Sequence, residues 1–151
     1  AKRYSGIMKN RGFTLVEIML VVGLVVILLT LAMPSILRSR IVANESAAIA
    51  NLKTVENACQ LYHIAKQTYP TDLIDLAFPA SDPPYIDPVL AQGRKQGYLF
   101  VYSLADPDHF TLNANPTTTG LLKGRYFYVD ESGAIKANPD SQAGPGDETV
   151  K

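Results

Sequence analysis

The sequence predicts an α+β fold, in which a long N-terminal α-helix, membrane-spanning in its first half, packs on a small antiparallel β-sheet. Three features of the sequence predict this fold. Residues 18–37 form an apolar run without a charged side chain. A helical pattern then continues with no Gly or Pro between Ser35 and Tyr69. After Gly97, short segments rich in aromatic and β-branched residues alternate with turns, as in antiparallel strands.

A basic segment lies directly before the apolar run. Residues 1–12 contain no acidic residue and four cations, which are Lys2, Arg3, Lys9 and Arg11. On the far side of the run, only Arg38 and Arg40 lie close to it. The positive-inside rule therefore keeps the N-terminus in the cytoplasm and favours export of the residues that follow. A secretory signal peptide starts in the same way, but its apolar region is shorter, at about 7–15 residues.

The apolar run is long enough to cross a bilayer, because a helix rises about 1.5 Å per residue and the hydrocarbon core is roughly 30 Å thick. Beyond the run, an apolar stripe with helical spacing continues through Ala48, Leu52, Val55, Cys59 and Tyr62. We therefore predict one helix from Phe13 to Gln67. The predicted organisation is a cytoplasmic leader at residues 1–12, a membrane-spanning half-helix at residues 13–40 and a globular domain at residues 41–151.

The rest of the chain is expected to cover the second half of this helix. Pro70 ends the helix, because the residue before a proline disfavours helical backbone angles. Residues 71–77 then form one short helix, and the proline-rich residues 77–88 form a loop. Three or four strands are predicted, at residues 98–104, 109–114 and 125–130, with a short return at 134–137. The tail from Asn138, rich in Pro, Gly, Asp and Ser, is expected to be irregular.

The segment GFTLVE, from Gly12 to Glu17, resembles the processing site of type IV prepilins and type II secretion pseudopilins. The resemblance implies that a prepilin peptidase cleaves between Gly12 and Phe13 and that the new amino terminus at Phe13 is methylated. It implies an assembly role for Glu17. Pro34 matches a proline that bends the membrane helix in many relatives.

The same resemblance implies a pilin-like fold and a structural function. The chain would be a single-pass inner-membrane precursor, held in lipid until the assembly machinery of that membrane joins it to identical subunits. The product would be a periplasmic or extracellular filament resembling a type IV pilus. An alternative is a major or minor pseudopilin of a type II secretion system, which the single Cys59 favours because it cannot form an intrachain disulfide. A further alternative is a membrane-anchored, exported binding or sensor domain.

The presence of Glu17 in an apolar helix needs a physical reason, because a charge at the centre of a membrane helix costs about 2.5–3.5 kcal/mol. In a packed filament, the positive amino terminus of Phe13 in a neighbouring subunit would compensate it. We therefore expect Glu17 to select the axial register between helices. A local alternative is a capping box, since Thr14 and Glu17 have the spacing at which each side chain satisfies a backbone donor of the other. The two roles are compatible.

Other function classes find little support in the sequence. The formal net charge is zero, which argues against nucleic acid as a partner. No catalytic motif is present, and His63 and His109 are isolated in the sequence, so we expect no enzyme activity. No cofactor is expected, although Asp140, Asp147 and Glu148 in the tail offer oxygen ligands for Ca²⁺. A solvated tail is the favoured interpretation of these three residues, and Cys59 is expected to be a core residue.

Overall fold

The computed structural model describes residues 12–150. The predicted leader, apart from Gly12, lies outside the described residues. The chain divides into two compact units, with the boundary between Ile36 and Leu37. We call the part up to Ile36 the first unit and the part from Leu37 the second unit, and we describe each by itself.

Helix α1 runs from Leu15 to Lys66 and provides all of the regular structure of the first unit. Its observed bounds confirm the prediction of one long helix from Phe13 to Gln67 to within two residues at the start and one at the end. The helix assignment continues through Pro34. In the first unit the side chains of α1 are exposed throughout the described residues.

In the second unit, α1 packs one face against a sheet. The predicted stripe is confirmed, because Ala48, Leu52, Val55 and Cys59 are buried and Tyr62 packs partly buried against the same core. The sheet supplies fully buried side chains opposite them, namely Phe110, Leu112, Phe127 and Val129. This burial is what fixes the sheet to the helix, since each large apolar side chain removed from water contributes about 1.5–3 kcal/mol.

Two short helical elements lie between α1 and the first strand, and a further 3₁₀ turn, at Gly120–Leu122, lies between the third and fourth strands. A 3₁₀ turn at Leu73–Leu76 lies within the short helix predicted at residues 71–77. Helix α2 at Pro88–Ala91 was not predicted, because it begins at the end of the proline-rich loop. Its local signal is clear in retrospect. The Asp87 carboxylate accepts a hydrogen bond from Leu90 N at 2.9 Å, and proline is well suited to the first turn of a helix.

The sheet is antiparallel and has six strands in the order of the chain, β1 to β6. The strands are β1 Arg94–Lys95, β2 Tyr98–Asp106, β3 His109–Pro116, β4 Tyr126–Asp130, β5 Lys136–Asn138 and β6 Glu148–Thr149. The α+β class is confirmed, but the expectation of three or four strands is wrong. The two additional strands have two residues each, which is too short to show an alternating pattern in sequence.

The C-terminal tail is also more ordered than its composition suggests. Val150 N donates to Ile135 O at 2.8 Å, and β6 pairs with β5. Ala143 is buried, and its carbonyl accepts a hydrogen bond from Asn113 Nδ2 at 2.8 Å. The prediction of an irregular tail is confirmed for residues 139–147, which form no helix or strand, and is wrong for Asn138 and for Glu148–Thr149, which pair in the sheet.

Candidate assembly site at the start of the helix

The start of α1 has the geometry of a capping box. Thr14 Oγ1 accepts a hydrogen bond from Glu17 N at 3.2 Å, and Glu17 Oε2 accepts one from Thr14 N at 3.4 Å. The first intrahelical bond follows, from Ile18 N to Thr14 O at 3.2 Å. These bonds satisfy backbone donors that a helix start leaves without partners. The local role predicted for Glu17 is thus confirmed.

The capping box leaves part of the Glu17 carboxylate available. Only Oε2 accepts a hydrogen bond among the described residues, and that bond is long. Within residues 12–150, Glu17 takes part in no salt bridge. The side chain is exposed. The carboxylate can therefore cap its own helix and accept a cation from another molecule at the same time.

The predicted cleavage site lies in open space. Gly12 is exposed and has no atom within 4 Å of the position where a Cβ would be, and Phe13 is 79 % exposed. Gly12 and Phe13 precede the first residue of α1, so the peptide bond between them is not part of the helix. The structure thus brings Gly12, Phe13 and Glu17 together at one helix start, while Pro34 lies several turns further along.

An apolar surface follows this site directly. Within the described residues, α1 is the one helix that is long and apolar enough to cross a membrane, and its apolar window is not buried. Within the described residues, this apolar part of α1 is thus not packed in a core. Its exposed large side chains in the first unit include Ile18, Met19, Leu20, Val21, Val22, Leu24, Val25, Val26, Ile27, Leu28, Leu29, Leu31, Met33 and Ile36. Such a continuous apolar surface requires lipid or protein as its surroundings.

The structure does not bring the three candidate calcium ligands together. Asp147 accepts hydrogen bonds from Asn138 Nδ2 at 3.0 Å and from Gly144 N at 2.8 Å. Glu148 lies exposed in β6, and Asp140 lies in the preceding loop. Among the described residues, no group of three or more His, Cys, Asp or Glu side chains is arranged to hold a metal ion.

The histidines are not isolated in the structure, although they are in the sequence. His63 Nε2 lies 3.3 Å from Asp108 Oδ1, and His109 Nδ1 lies 2.8 Å from Asp106 Oδ1. The hydrogen bond between His109 and Asp106 raises the pKa of His109 and lowers the pKa of Asp106. Asp106 and His109 are close in the sequence, so their contact could be expected from it, whereas the contact between His63 and Asp108 depends on the tertiary fold.

Cys59 is a core residue, as predicted. Its side chain is fully buried between α1 and the sheet. Burial, with a smaller contribution from the charge of Glu56, raises the pKa of the thiol to about 12. Because the thiolate is the reactive form, this thiol is chemically inert in the folded chain.

The fold and this site together define a class of protein. Such a protein has a long helix with a processing motif at its start, an apolar first half and a small sheet that covers its second half. Comparison with known proteins agrees with this description of the chain. A model of the prokaryotic N-terminal methylation motif matches residues 7–33. This match includes Gly12, Phe13 and Glu17, and it ends one residue before Pro34.

Similar proteins carry two kinds of name. Type II secretion system core protein G of Escherichia coli (strain K12) is 32 % identical over 91 residues, which cover 60 % of this chain and 62 % of that protein. The protein of the same name from Vibrio cholerae is 35 % identical over 63 residues, or 42 % of this chain and 43 % of the relative. Type IV major pilin protein PilA of Myxococcus xanthus is 36 % identical over 61 residues, or 40 % and 28 %.

The chain thus matches less than two thirds of the length of these relatives. No solved structure gives a significant match. In its motif, its relatives and its fold, the chain is similar to type IV pilins and type II secretion pseudopilins. The names of these relatives denote a secretion-system core protein and a pilin, which agrees with the prediction of no enzyme activity.

Proposed function

We propose that this chain is a structural subunit that polymerises through residues 13 to about 37 into a helical filament. A prepilin peptidase cleaves between Gly12 and Phe13, and the new amino terminus at Phe13 is methylated. The observation that carries the proposal is the exposed apolar first unit of α1, which begins directly at the capping box of Thr14 and Glu17.

The apolar helix has two successive environments in this proposal. In the precursor, lipid surrounds it, the basic residues 1–12 stay in the cytoplasm and the second unit is exported. In the filament, the same helix is surrounded by copies of itself. Close packing and the pairing of polar groups then hold the helices together, since lipid is as apolar as the side chains that it covers. Inner-membrane assembly machinery moves the subunit between the two environments.

Glu17 selects the register of this packing. Surrounded by helices, its carboxylate loses access to water and needs a cation. The methylated amino terminus keeps its positive charge, and a neighbouring subunit shifted along the filament axis brings that charge within reach. The Glu17 oxygen that accepts no hydrogen bond among the described residues is the acceptor for it. Pro34 removes one backbone donor of α1, which eases local melting as the helices pack.

A substitution can separate the charge of Glu17 from its capping role. Glu17→Gln keeps a capping-box side chain at this position but removes the charge. We expect this variant to be inserted and cleaved normally and to yield far fewer filaments, as we expect for Glu17→Ala. Thr14→Val removes the hydroxyl acceptor and keeps the charge, so it should assemble much better than Glu17→Gln. Mass analysis of the methylated Phe13 terminus monitors processing, and electron microscopy of sheared filaments measures assembly.

Wild-type filament yield from Glu17→Gln would contradict the register role. Absence of filaments from the native chain, with the leader retained in cells, would contradict the filament function itself. A membrane-anchored binding or sensor domain would then explain the chain better.

A pseudopilin of a type II secretion system is the second candidate. It is supported by the 91-residue similarity to a type II secretion core protein G and by the single cysteine, which excludes an intrachain disulfide. Deletion of the gene distinguishes the two candidates. A pseudopilin is required for release of secreted proteins into the medium, whereas a pilus subunit is required for surface filaments.

A further inference from the structure

Charge is segregated between the two ends of the second unit. At one end lie four cations that take part in no salt bridge within the described residues. We call this group of side chains the basic end, and its members are Arg38, Arg40, Arg94 and Lys123. At the other lie four carboxylates, which we call the acidic end: Asp106, Asp108, Asp130 and Glu131.

Contacts with α1 show that the basic end lies at the start of the helix segment in this unit. The Arg125 guanidinium binds the Glu45 carboxylate at 3.0 Å, which places the neighbouring Lys123 near this turn of α1. Gln96 Oε1 accepts a hydrogen bond from Asn51 Nδ2 at 3.2 Å, and Arg94 is two residues away in β1. The other cations of this region, Lys95 and Arg125, are neutralised by Asp87 and Glu45.

The acidic end lies where α1 finishes. Glu131 O accepts a hydrogen bond from Gln60 Nε2 at 3.2 Å, and Asp108 lies 3.3 Å from His63. His109 joins the two turns, with Asp106 at 2.8 Å and Glu131 at 3.8 Å.

Among the described residues, no lysine or arginine forms a salt bridge with the carboxylates of the acidic end. Within the described residues, their salt bridges are to histidines alone. Lys66, exposed in the last turn of α1, is bridged to none of them. Asp106 is exposed at the end of β2, and Asp108 is exposed in the turn between β2 and β3. This end therefore presents negative charge to an approaching molecule.

We propose that the basic end of one copy of the chain faces the acidic end of another copy in the filament, forming a head-to-tail electrostatic interface. The proposal rests on the proposed filament function. In an assembly of subunits that all point the same way, a surface at one end of each subunit faces a different surface at the opposite end of another. The cations of the basic end and the carboxylates of the acidic end are opposite in sign.

A second copy fits these charges better than a lipid surface does. Anionic headgroups would attract the basic end but would leave the acidic end without a partner. A second copy satisfies both ends. Each exposed charge pair is weak, but the pattern repeats at every subunit and opposes incorrect axial offsets, because these bring like charges together. The interface thus adds a salt-sensitive contribution to the register that Glu17 sets within the core.

Charge reversal at each end tests the interface in the full chain, in the native cell. The basic-end variant is Arg38→Glu with Arg40→Glu, and the acidic-end variant is Asp108→Lys with Glu131→Lys. We expect each to lower the yield of sheared filaments several-fold and the combination of all four substitutions to recover most of the loss. A matched control, Lys53→Glu, makes the same change in net charge as Arg38→Glu alone, lies on α1 between the two ends and should have a much smaller effect than Arg38→Glu.

Wild-type filaments provide a second measurement that does not depend on the folding of any variant. Their rate of dissociation should rise with salt concentration, because salt screens exposed charges over about 8 Å at physiological ionic strength. Salt-independent dissociation, or a combined variant that is folded and processed but assembles no better than the single-end variants, would overturn the interface.

Two other outcomes are also decisive. Loss of yield in the basic-end variant with normal yield in the acidic-end variant would overturn the proposal and indicate lipid headgroups as the partner of the basic end. Absence of wild-type filaments would instead refute the proposed function on which the interface rests.

Discussion

Glu45 on α1 holds the start of β4 by binding both the backbone and the side chain of Arg125. Glu45 Oε1 accepts a hydrogen bond from Arg125 N at 2.8 Å, and Oε2 accepts one from Arg125 Nε at 3.0 Å. The Glu45 side chain is 14 % exposed and that of Arg125 is 46 % exposed. The contact joins residues 80 positions apart in the chain, so it ties the sheet to the helix near the start of the second unit.

The two partners should contribute unequally to stability. Glu45→Ala removes the acceptor for both the backbone donor and the guanidinium, and we expect it to lower the free energy of unfolding by about 1–3 kcal/mol. Arg125→Ala leaves the backbone bond in place and removes a half-exposed ion pair, so its cost should be about 0.2–1 kcal/mol. Denaturant unfolding in detergent, followed by near-UV circular dichroism of the tyrosines, measures both. A larger effect for Arg125→Ala would contradict this assignment.

Gly124 is required because a neighbouring side chain fills the space beside it. A Cβ at this position would lie 2.4 Å from Tyr98 Oη, which itself donates a hydrogen bond to Arg125 O at 2.9 Å. Gly124→Ala should therefore displace Tyr98 from the core and destabilise the second unit by about 1–3 kcal/mol. Gly144→Ala is the matched control, since nothing lies within 4 Å of its Cβ position. Unfolding midpoints compare the two, and equal midpoints would show that Tyr98 moves without cost.

The Cys59 thiol should resist modification as long as the chain is folded. It is fully buried, and its pKa of about 12 leaves almost no thiolate at neutral pH. Ser46→Cys places a second thiol on an exposed position of the same helix. Alkylation followed by mass spectrometry should label that thiol quickly and Cys59 only under denaturing conditions. Rapid labelling of Cys59 in native buffer would mean that the helix and sheet separate readily.

The pair of His109 and Asp106 should titrate with opposite shifts. The pKa of His109 is raised, so its contribution to stability is complete below the ordinary histidine value of about 6.5 and is lost as pH rises through the folded pKa. The pKa of Asp106 is lowered, so its contribution is present above the ordinary value and is lost as pH falls through the folded pKa. The pair therefore supports the β2–β3 turn most strongly between these two transitions.

Nuclear magnetic resonance of the imidazole protons measures this shift directly, because the chain has only two histidines. A His63→Gln background assigns the remaining resonance to His109. Asp106→Asn should lower the pKa of His109 towards its ordinary value, because it removes the hydrogen-bonded charge. An unchanged titration curve would rule out Asp106 as the cause.

Long elements could be predicted from sequence, and short ones could not. Helix α1 and strands β2, β3 and β4 carry enough residues for a period of 3.6 or 2 to be visible. Strands β1 and β6 do not, and they exist because β2 and β5 offer free edges for pairing. Order in the C-terminal tail similarly depends on distant partners such as Asn113, whose side chain binds Ala143 O.

The assembly site shows the same division. Gly12, Phe13 and Glu17 could be selected from sequence, because cleavage motifs and capping boxes are local patterns within one helical turn. The contacts of His63 and Glu45 could not, since their partners are Asp108 and Arg125, far away in the chain. The spacing of neighbouring residues is visible in a sequence, but a sequence contains no distances between remote residues.

The sequence by itself determined that a long helix begins near Phe13, that its first half is apolar and that it starts with a processing motif. These properties depend on residue order and on backbone geometry, which act over a few residues. Only the tertiary structure decided that six strands cover the second half of the helix and that Glu45 anchors the sheet. It also decided that, among the described residues, cations without a salt bridge and carboxylates bridged to histidines lie at opposite ends. Burial and long-range pairing fix these features, and both depend on which distant segments meet when the chain folds.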